Sequence, residues 1–174
     1  RANRLKRVVF LSSVGAHLPG GTGPIAGLHD IEAKLNAAAS EVGGSVMHVR
    51  PSAFYENWFM NIPTVKEHGA VFMPISADAK LPRIATSDIA RFVADALTDT
   101  SWQGVAVREL SGPQDLSEAE CCEIVGKAIG KSINFVPVSP EQAIEAMVGM
   151  GLGREIAGKY AEMYQAFEKG VIKP

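Results

Sequence analysis

The chain has 174 residues, of which 47% are hydrophobic and 21% are charged, and this suits one compact domain with a sizeable core. Its 17 Lys+Arg residues and 19 Asp+Glu residues give a net charge of −2, which excludes binding to nucleic acid or to membrane surfaces by bulk positive charge. We predict neither a membrane span, which needs roughly 18 apolar residues, nor a signal segment. The adjacent Cys121 and Cys122 suit neither a disulfide nor a zinc site, so we expect no metal and a reducing, cytoplasmic location.

Strands and helices are predicted to alternate along the chain. Short apolar runs rich in β-branched residues predict strands at residues 8–11, 46–49, 70–75, 104–110 and 133–138. Apolar spacing and capping residues predict helices from residue 25 to the glycines at 43 and 44, over 89–97, over 118–129, and from 140 onwards with a break at 149–153. Residues 54–65 suit a short amphipathic helix or a loop. The alternation indicates a single α/β domain over residues 1–174 with a largely parallel sheet.

The glycine-rich loop after the first strand nearly matches two nucleotide-binding motifs. Residues 15–22 resemble the phosphate loop G-x-x-x-x-G-K-[ST], but Gly21 stands where the phosphate-binding lysine belongs. Residues 21–26 fit G-x-G-x-x-[GA], but the strand ends several residues earlier and no acidic residue ends the next strand. We therefore favour a flexible loop in which glycine gives the backbone freedom.

Five segments, taken in order, carry a family resemblance. They are VVFLSSVGA (8–16), GPIAGLHDIE (23–32), HVRPSAFYENW (48–58), TSDIA (86–90) and ELSGPQDLS (109–117). The chain resembles the NmrA-like branch of the atypical short-chain dehydrogenase/reductase superfamily. That resemblance implies a doubly wound, Rossmann-like fold and NAD(P) as cofactor. The match begins at the family's fifth strand, so we expect a partial Rossmann-like domain that lacks the N-terminal nucleotide-binding half and binds NAD(P) weakly or not at all.

The resemblance assigns a set of residues to the cofactor. Ser12 and Ser13 end the first strand and would face the nicotinamide, where the Ser13 hydroxyl can also bond a substrate carbonyl. The alternative for both is to satisfy loop backbone groups. Further residues that would flank the nicotinamide are Pro51, Ser52 and Phe54.

The superfamily's Tyr-x-x-x-Lys pair is missing from the helix after the first strand. The residue four before Lys34 is Asp30, which cannot act as a phenol. His29 and Glu32 lie three residues apart on that helix, so they can form a His–carboxylate couple, and His29 is the candidate proton donor. The alternative is an exposed polar helix face.

An aromatic segment follows the second strand. Tyr55, Asn57 and Trp58 would line an apolar pocket for a flat substrate such as a quinone. The alternative is that these side chains pack a short helix into the core.

Three functions are compatible with these observations. The first is an NAD(P)H-dependent reductase of a small carbonyl or quinone substrate. The second is a non-catalytic, NAD(P)-linked redox sensor, and the third is a truncated remnant that binds no cofactor. If the N-terminal half is absent, the strand at 8–11 lacks a neighbour, and we expect self-association through its open edge. The alternative is that a larger protein supplies the missing half.

Overall fold

The computed structural model describes residues 6–173, along which strands and helices alternate. The strands are β1 Arg7–Leu11, β2 Ser45–Pro51, β3 Ala53–Phe54, β4 Ala70–Met73, β5 Lys80–Leu81, β6 Arg83–Ile84, β7 Val105–Leu110, β8 Leu116–Ser117 and β9 Asn134–Pro137. The α-helices are α1 Ala26–Glu41, α2 Ile62–His68, α3 Thr86–Thr98, α4 Glu118–Ile129, α5 Pro140–Gly149 and α6 Arg154–Glu168. Two 3-10 helices cover Gly23–Ile25 and Tyr55–Asn61.

A three-stranded parallel sheet of order β1-β2-β7 forms the largest sheet of the described chain. Two smaller pairs, β3 with β6 and β4 with β9, are also parallel, whereas β5 and β8 pair antiparallel. Helix α1 connects β1 to β2, as the crossover between neighbouring parallel strands requires. The predicted α/β fold with a largely parallel sheet is confirmed.

Apolar side chains form three clusters that join distant segments. The first cluster connects the loop after β1 to the C-terminal region and contains Val14, Ala16, Ile25, Ala166 and Ile172. The second places α3 against the sheet through Met47, Val49 and Ala96. The third joins β4 to α4 through Val71, Cys122 and Ile133. Burial of these side chains provides the main driving force for folding.

The start of α3 differs from the prediction because its cap is not local. The helix begins at Thr86 rather than residue 89, and the carboxylate of Glu56 accepts hydrogen bonds from the Thr86 backbone N–H at 3.0 Å and hydroxyl at 2.6 Å. By contrast, α4 begins where its capping residues predict, and these residues form a capping box. Ser117 Oγ accepts from the Glu120 N–H at 3.2 Å, and Glu120 Oε2 accepts from the Ser117 N–H at 2.7 Å.

The glycine-rich loop is packed against the C-terminal region of the chain. Gly23 has a φ of 61°, and a Cβ there would lie 2.1 Å from the carbonyl oxygen of Lys159 in α6. A Cβ on Gly15 would lie 3.1 Å from the Ile172 side chain. The absence of a side chain at these positions thus permits close packing, in addition to the backbone freedom predicted from the sequence.

No helix within residues 6–173 is both long enough and apolar enough to cross a lipid bilayer.

We predict that Gly23→Ala destabilises the protein by about 3 kcal/mol, because the added Cβ both strains the positive φ and collides with a backbone carbonyl. Gly20→Ala is the matched control in the same loop, since a Cβ there meets nothing within 4 Å. We expect that change to stay within about 0.5 kcal/mol. Urea denaturation of both variants measures the two free energies of unfolding, and equal stabilities would contradict the packing role of Gly23.

Candidate active site at the carboxyl end of the sheet

The ends of β1 and β2 lie side by side. The Ser12 N–H donates to the Val49 carbonyl at 2.7 Å, and the Val14 N–H donates to the Pro51 carbonyl at 3.1 Å. These bonds continue the parallel pairing beyond β1 and bring the predicted cofactor residues of both strands to one edge. Ligands of parallel α/β sheets bind at the carboxyl ends of the strands.

A buried ionic network holds this edge together. Glu32 of α1 is only 6% exposed, and its carboxylate accepts a hydrogen bond from Ser12 Oγ at 2.6 Å. The Arg50 guanidinium donates to both oxygens of the same carboxylate, at 3.0 Å from Nε and 2.6 Å from Nη2. Arg50 also lies 4.0 Å from Glu109 of β7. One carboxylate therefore links the ends of β1 and β2 to the helix between them.

The network determines the ionisation of Glu32. Burial by itself would raise the pKa of this carboxyl, but the hydrogen bonds from Arg50 and Ser12 and the charge of Arg50 bring the pKa below its usual value. The hydrogen bonds to Glu32 in turn raise the pKa of Arg50. Both groups are therefore charged at neutral pH. Arg50 forms a structural ion pair near the end of β2.

His29 is fixed to the loop after β1 and not to Glu32. Its Nδ1 lies 2.9 Å from the carbonyl oxygen of Ala16, and because a carbonyl can only accept, Nδ1 carries the proton. The predicted His29–Glu32 couple is wrong, since Glu32 turns inward to Arg50 and Ser12. The hydrogen bond to Ala16 thus leaves Nε2 as the ring nitrogen that is not committed to the loop.

The other predicted residues of the edge occupy different environments. The half-buried Ser13 donates its hydroxyl to the Val14 carbonyl at 3.0 Å. Pro51 is buried, and so is Ser52, whose N–H donates to the Leu110 carbonyl at 2.9 Å. The Ser52 hydroxyl is buried and has no hydrogen-bond partner within the described part of the chain. Phe54 is half-buried in β3, opposite β6.

A cavity of about 600 Å³ lies between the segment that follows β3 and helix α4. Tyr55 and Trp58 both contribute to its wall, whereas Asn57 is exposed and lies outside the lining. The residues that complete the lining are mostly apolar and comprise Phe59, Ile62, Val65, Lys66, Arg83, Leu116, Cys121, Ile124, Val125, Ile129 and Lys131.

An ion pair that sequence analysis missed lies in the wall of this cavity. Arg83 donates from Nη2 to Glu118 Oε1, and both side chains are at most 5% exposed. The nearby Cys121 thiol has a pKa that burial raises, against the opposing charge of Arg83, so the thiol is protonated at neutral pH. The sequence did hold a sign of the pair, because Arg83 sits in an otherwise apolar stretch and Glu118 begins a helix.

Sequence analysis also missed the role of His48 in β2. Its Nε2 donates to Asn36 Oδ1 of α1 at 2.7 Å, while its buried Nδ1 has no partner among residues 6–173. Burial lowers the pKa of His48, the charge of Arg50 lowers it further, and Glu32 opposes both effects. The ring is therefore neutral at pH 7 and holds α1 against the sheet.

Within residues 6–173, no group of three or more His, Cys, Asp or Glu side chains is placed to hold a metal ion.

Comparison with known proteins gives a consistent result. The model of the NmrA-like family matches residues 2–173. An NAD(P)H azoreductase from Xenophilus azovorans is 33% identical over 124 residues, which are 71% of this chain and 43% of that protein. Agroclavine dehydrogenase from Claviceps fusiformis is 28% identical over 170 residues, or 95% of this chain and 55% of that protein.

Solved structures show the same fold. An NADPH-dependent quinone oxidoreductase from Escherichia coli, crystallised with NADPH, superposes with a TM-score of 0.79 at 21% sequence identity. The superposition covers 97% of this chain and 57% of the oxidoreductase chain. A triphenylmethane reductase from Citrobacter, crystallised with NADP(H), superposes with a TM-score of 0.75 at 19% sequence identity. The superposition covers 97% of this chain and 57% of the reductase chain. The chain spans about half the length of the curated relatives that it matches.

We predict that Glu32→Gln lowers the free energy of unfolding by about 3 kcal/mol at pH 7, because it leaves the Arg50 side chain, which is only 12% exposed, without the carboxylate that it contacts at 2.6 Å. The loss should shrink as the pH falls below about 4.3, the usual glutamate value in an unfolded chain. As pH falls through the lowered pKa of Glu32, the folded wild-type protein protonates this carboxyl and loses the same interaction.

The control for this prediction is Glu109→Gln, which removes a more exposed carboxylate 4.0 Å from the same guanidinium. We expect a change within about 0.5 kcal/mol. Denaturant unfolding between pH 3 and pH 8 measures both variants, and a pH-independent difference between wild type and Glu32→Gln would contradict the charged network.

Proposed function

The chain belongs to the NmrA-like family, and from that premise we propose that it forms the nicotinamide-facing and substrate-facing part of an NAD(P)H-dependent reductase. Its substrate would be a quinone or another small carbonyl compound. The names of an NAD(P)H azoreductase and an NADPH-dependent quinone oxidoreductase among similar proteins support this activity.

The observation that carries the proposal is the continuity between the sheet edge and the cavity. Pro51 ends β2 at that edge and Ser52 follows it, and Tyr55 and Trp58, a few residues later, line the cavity. A cofactor bound at the edge and a flat substrate in the cavity would therefore contact opposite ends of one short segment. Aromatic walls suit a planar substrate.

The residues present fit the nicotinamide end of the cofactor better than its phosphates. Ser52 offers a hydroxyl that no described residue satisfies, at the edge where cofactors of parallel sheets bind. In the glycine-rich loop, by contrast, the N–H groups of Ala16, Leu18 and Ile25 already donate to carbonyls of the same loop. We therefore expect weak binding of NAD(P), held by Ser12, Ser13, Pro51, Ser52 and Phe54.

NAD(P)H, when bound, supplies a hydride, so this chain must supply the proton that completes reduction of a carbonyl. We assign that proton to the Nε2–H of a His29 imidazolium, because Nδ1–H is committed to Ala16; after the transfer the ring is neutral and keeps its proton on Nδ1. The Ser13 hydroxyl would turn from the Val14 carbonyl to donate to the substrate oxygen as negative charge develops there. Tyr55 and Trp58 would orient the ring, whereas Asn57, which lies outside the lining, is not needed for this role.

We predict that His29→Gln lowers kcat for reduction of menadione by about a hundredfold, because the proton donor is lost. Ser13→Ala should cost about as much through the loss of one donor to the developing oxyanion. The assay follows NADPH oxidation at saturating NADPH. His17→Gln is the control, since His17 is exposed in the same loop.

Three outcomes separate the candidate functions. Turnover that depends on His29 but not His17 supports the reductase. NADPH binding without turnover of any quinone overturns it in favour of a redox sensor. If nicotinamide fluorescence shows no binding even at millimolar NADPH, the chain alone has neither function.

We also propose that the chain self-associates through the edge of β1. Within the described residues β1 pairs only with β2, and Leu11 at its end is 48% exposed. An apolar strand with unpaired backbone groups favours pairing with another chain.

We predict that Leu11→Lys reduces self-association, because a charge on an edge strand disfavours pairing. Val42→Lys is the control, since Val42 is 69% exposed and lies outside the strands. Light scattering over a range of concentrations measures the mass. A wild-type monomer at every concentration would refute the proposal.

A further inference from the structure

The walls of the 600 Å³ cavity carry positive charge only. Its lining includes the cations Lys66, Arg83 and Lys131 and no aspartate or glutamate. This is notable in a chain with a net charge of −2, where acidic residues outnumber basic ones.

Two of these charges are available to a ligand. Arg83 is buried and its charge is balanced by Glu118. Lys66, in the last turn of α2, and Lys131, just after α4, are exposed and form no ion pair with any residue of 6–173.

The surface between these lysines is unusually apolar for an exposed region. Large side chains in the lining are substantially exposed: Phe59 at 66%, Ile62 at 41%, Ile124 at 54% and Ile129 at 51%. An exposed apolar patch of this kind marks a binding site. Because the patch is bordered by unpaired cations, its complement is a molecule that is apolar over most of its surface and negatively charged at one end.

We infer that the cavity binds an aromatic anion, a flat ring system that bears a sulfonate or carboxylate group. The rings lie against Tyr55 and Trp58, and the anion is attracted by Lys66 and Lys131. This inference rests on the proposed function, because it names the substrate class of the same cavity. It adds that charge, in addition to ring shape, selects the substrate.

The expected preference is modest, because both lysines are exposed to water. Two exposed charge contacts together favour the anion over a neutral molecule of similar shape by about five- to tenfold. The preference must also weaken with ionic strength, since salt screens exposed charges over about 10 Å at 0.1 M.

The test compares anthraquinone-2-sulfonate with the neutral 2-(hydroxymethyl)anthraquinone, without NADPH. The chain has 2 tryptophans, and Trp102 lies outside the cavity lining, where its Nε1 donates to the Ala96 carbonyl at 2.8 Å. In the Trp102→Phe variant, Trp58 is the remaining fluorophore, so its quenching, corrected for ligand absorption, reports ring binding directly. Isothermal titration calorimetry of the unsubstituted chain gives the same affinity ratio independently of that variant.

We expect the sulfonate to bind about five- to tenfold more tightly at low salt. The ratio should fall to about one in the double variant Lys66→Gln/Lys131→Gln. The control is Lys34→Gln/Lys127→Gln, which removes the same charge from exposed positions outside the lining and should preserve the ratio. Lys127 is especially suitable, because it lies in the last turn of α4, near Lys131 in sequence.

The outcomes distinguish this inference from the proposed function. Equal binding of both anthraquinones overturns the charge preference and leaves reduction of neutral quinones intact. An equal loss in both double variants also overturns the inference, since it indicates bulk charge. Failure of both molecules to bind overturns the assignment of this cavity as the substrate pocket and with it both proposals.

Discussion

The candidate site depends on one interaction, the ion pair between Glu32 and Arg50. The two residues come from a helix and a strand, and Ser12 adds the end of the preceding strand to the same carboxylate. Breaking a buried pair leaves an uncompensated charge, so these three segments can separate only at high cost. The geometry of the edge where Ser13 and Ser52 lie is therefore fixed by the hydrogen-bonded network of Glu32, whose members need not contact a ligand. Catalytic positions need such support, because small displacements cost rate.

The glycine-rich loop shows how a motif can serve a different physical purpose. Gly23 lets the loop approach the backbone of α6, and the loop's own carbonyls use several of its N–H groups. A sequence pattern records only that side chains are absent. It does not record whether a phosphate or another helix fills the space that is left. Here the space is filled by protein.

Much of the fold could be predicted because it depends on local patterns. Apolar β-branched runs located β1 and β2, and the capping box located the start of α4. The errors share one cause, which is contact between residues far apart in sequence. The start of α3 depends on Glu56, and the partner of Glu32 is Arg50 and not His29, which is closer in sequence. The pair of Arg83 and Glu118 likewise joins residues 35 apart, so the local sign at each residue does not identify its partner.

The Glu56 cap connects two parts of the molecule that have different tasks. Glu56 lies in the 3-10 helix that supplies Tyr55 and Trp58 to the cavity, while α3 packs on the sheet through Ala96. The hydrogen bonds between Glu56 and Thr86 thus connect the wall of the cavity to the helix that packs on the sheet. An outward displacement of this wall must either move the beginning of α3 or break the hydrogen bonds between Glu56 and Thr86. The position of this cavity wall is therefore coupled to the packing of α3 on the sheet through the hydrogen bonds of Glu56.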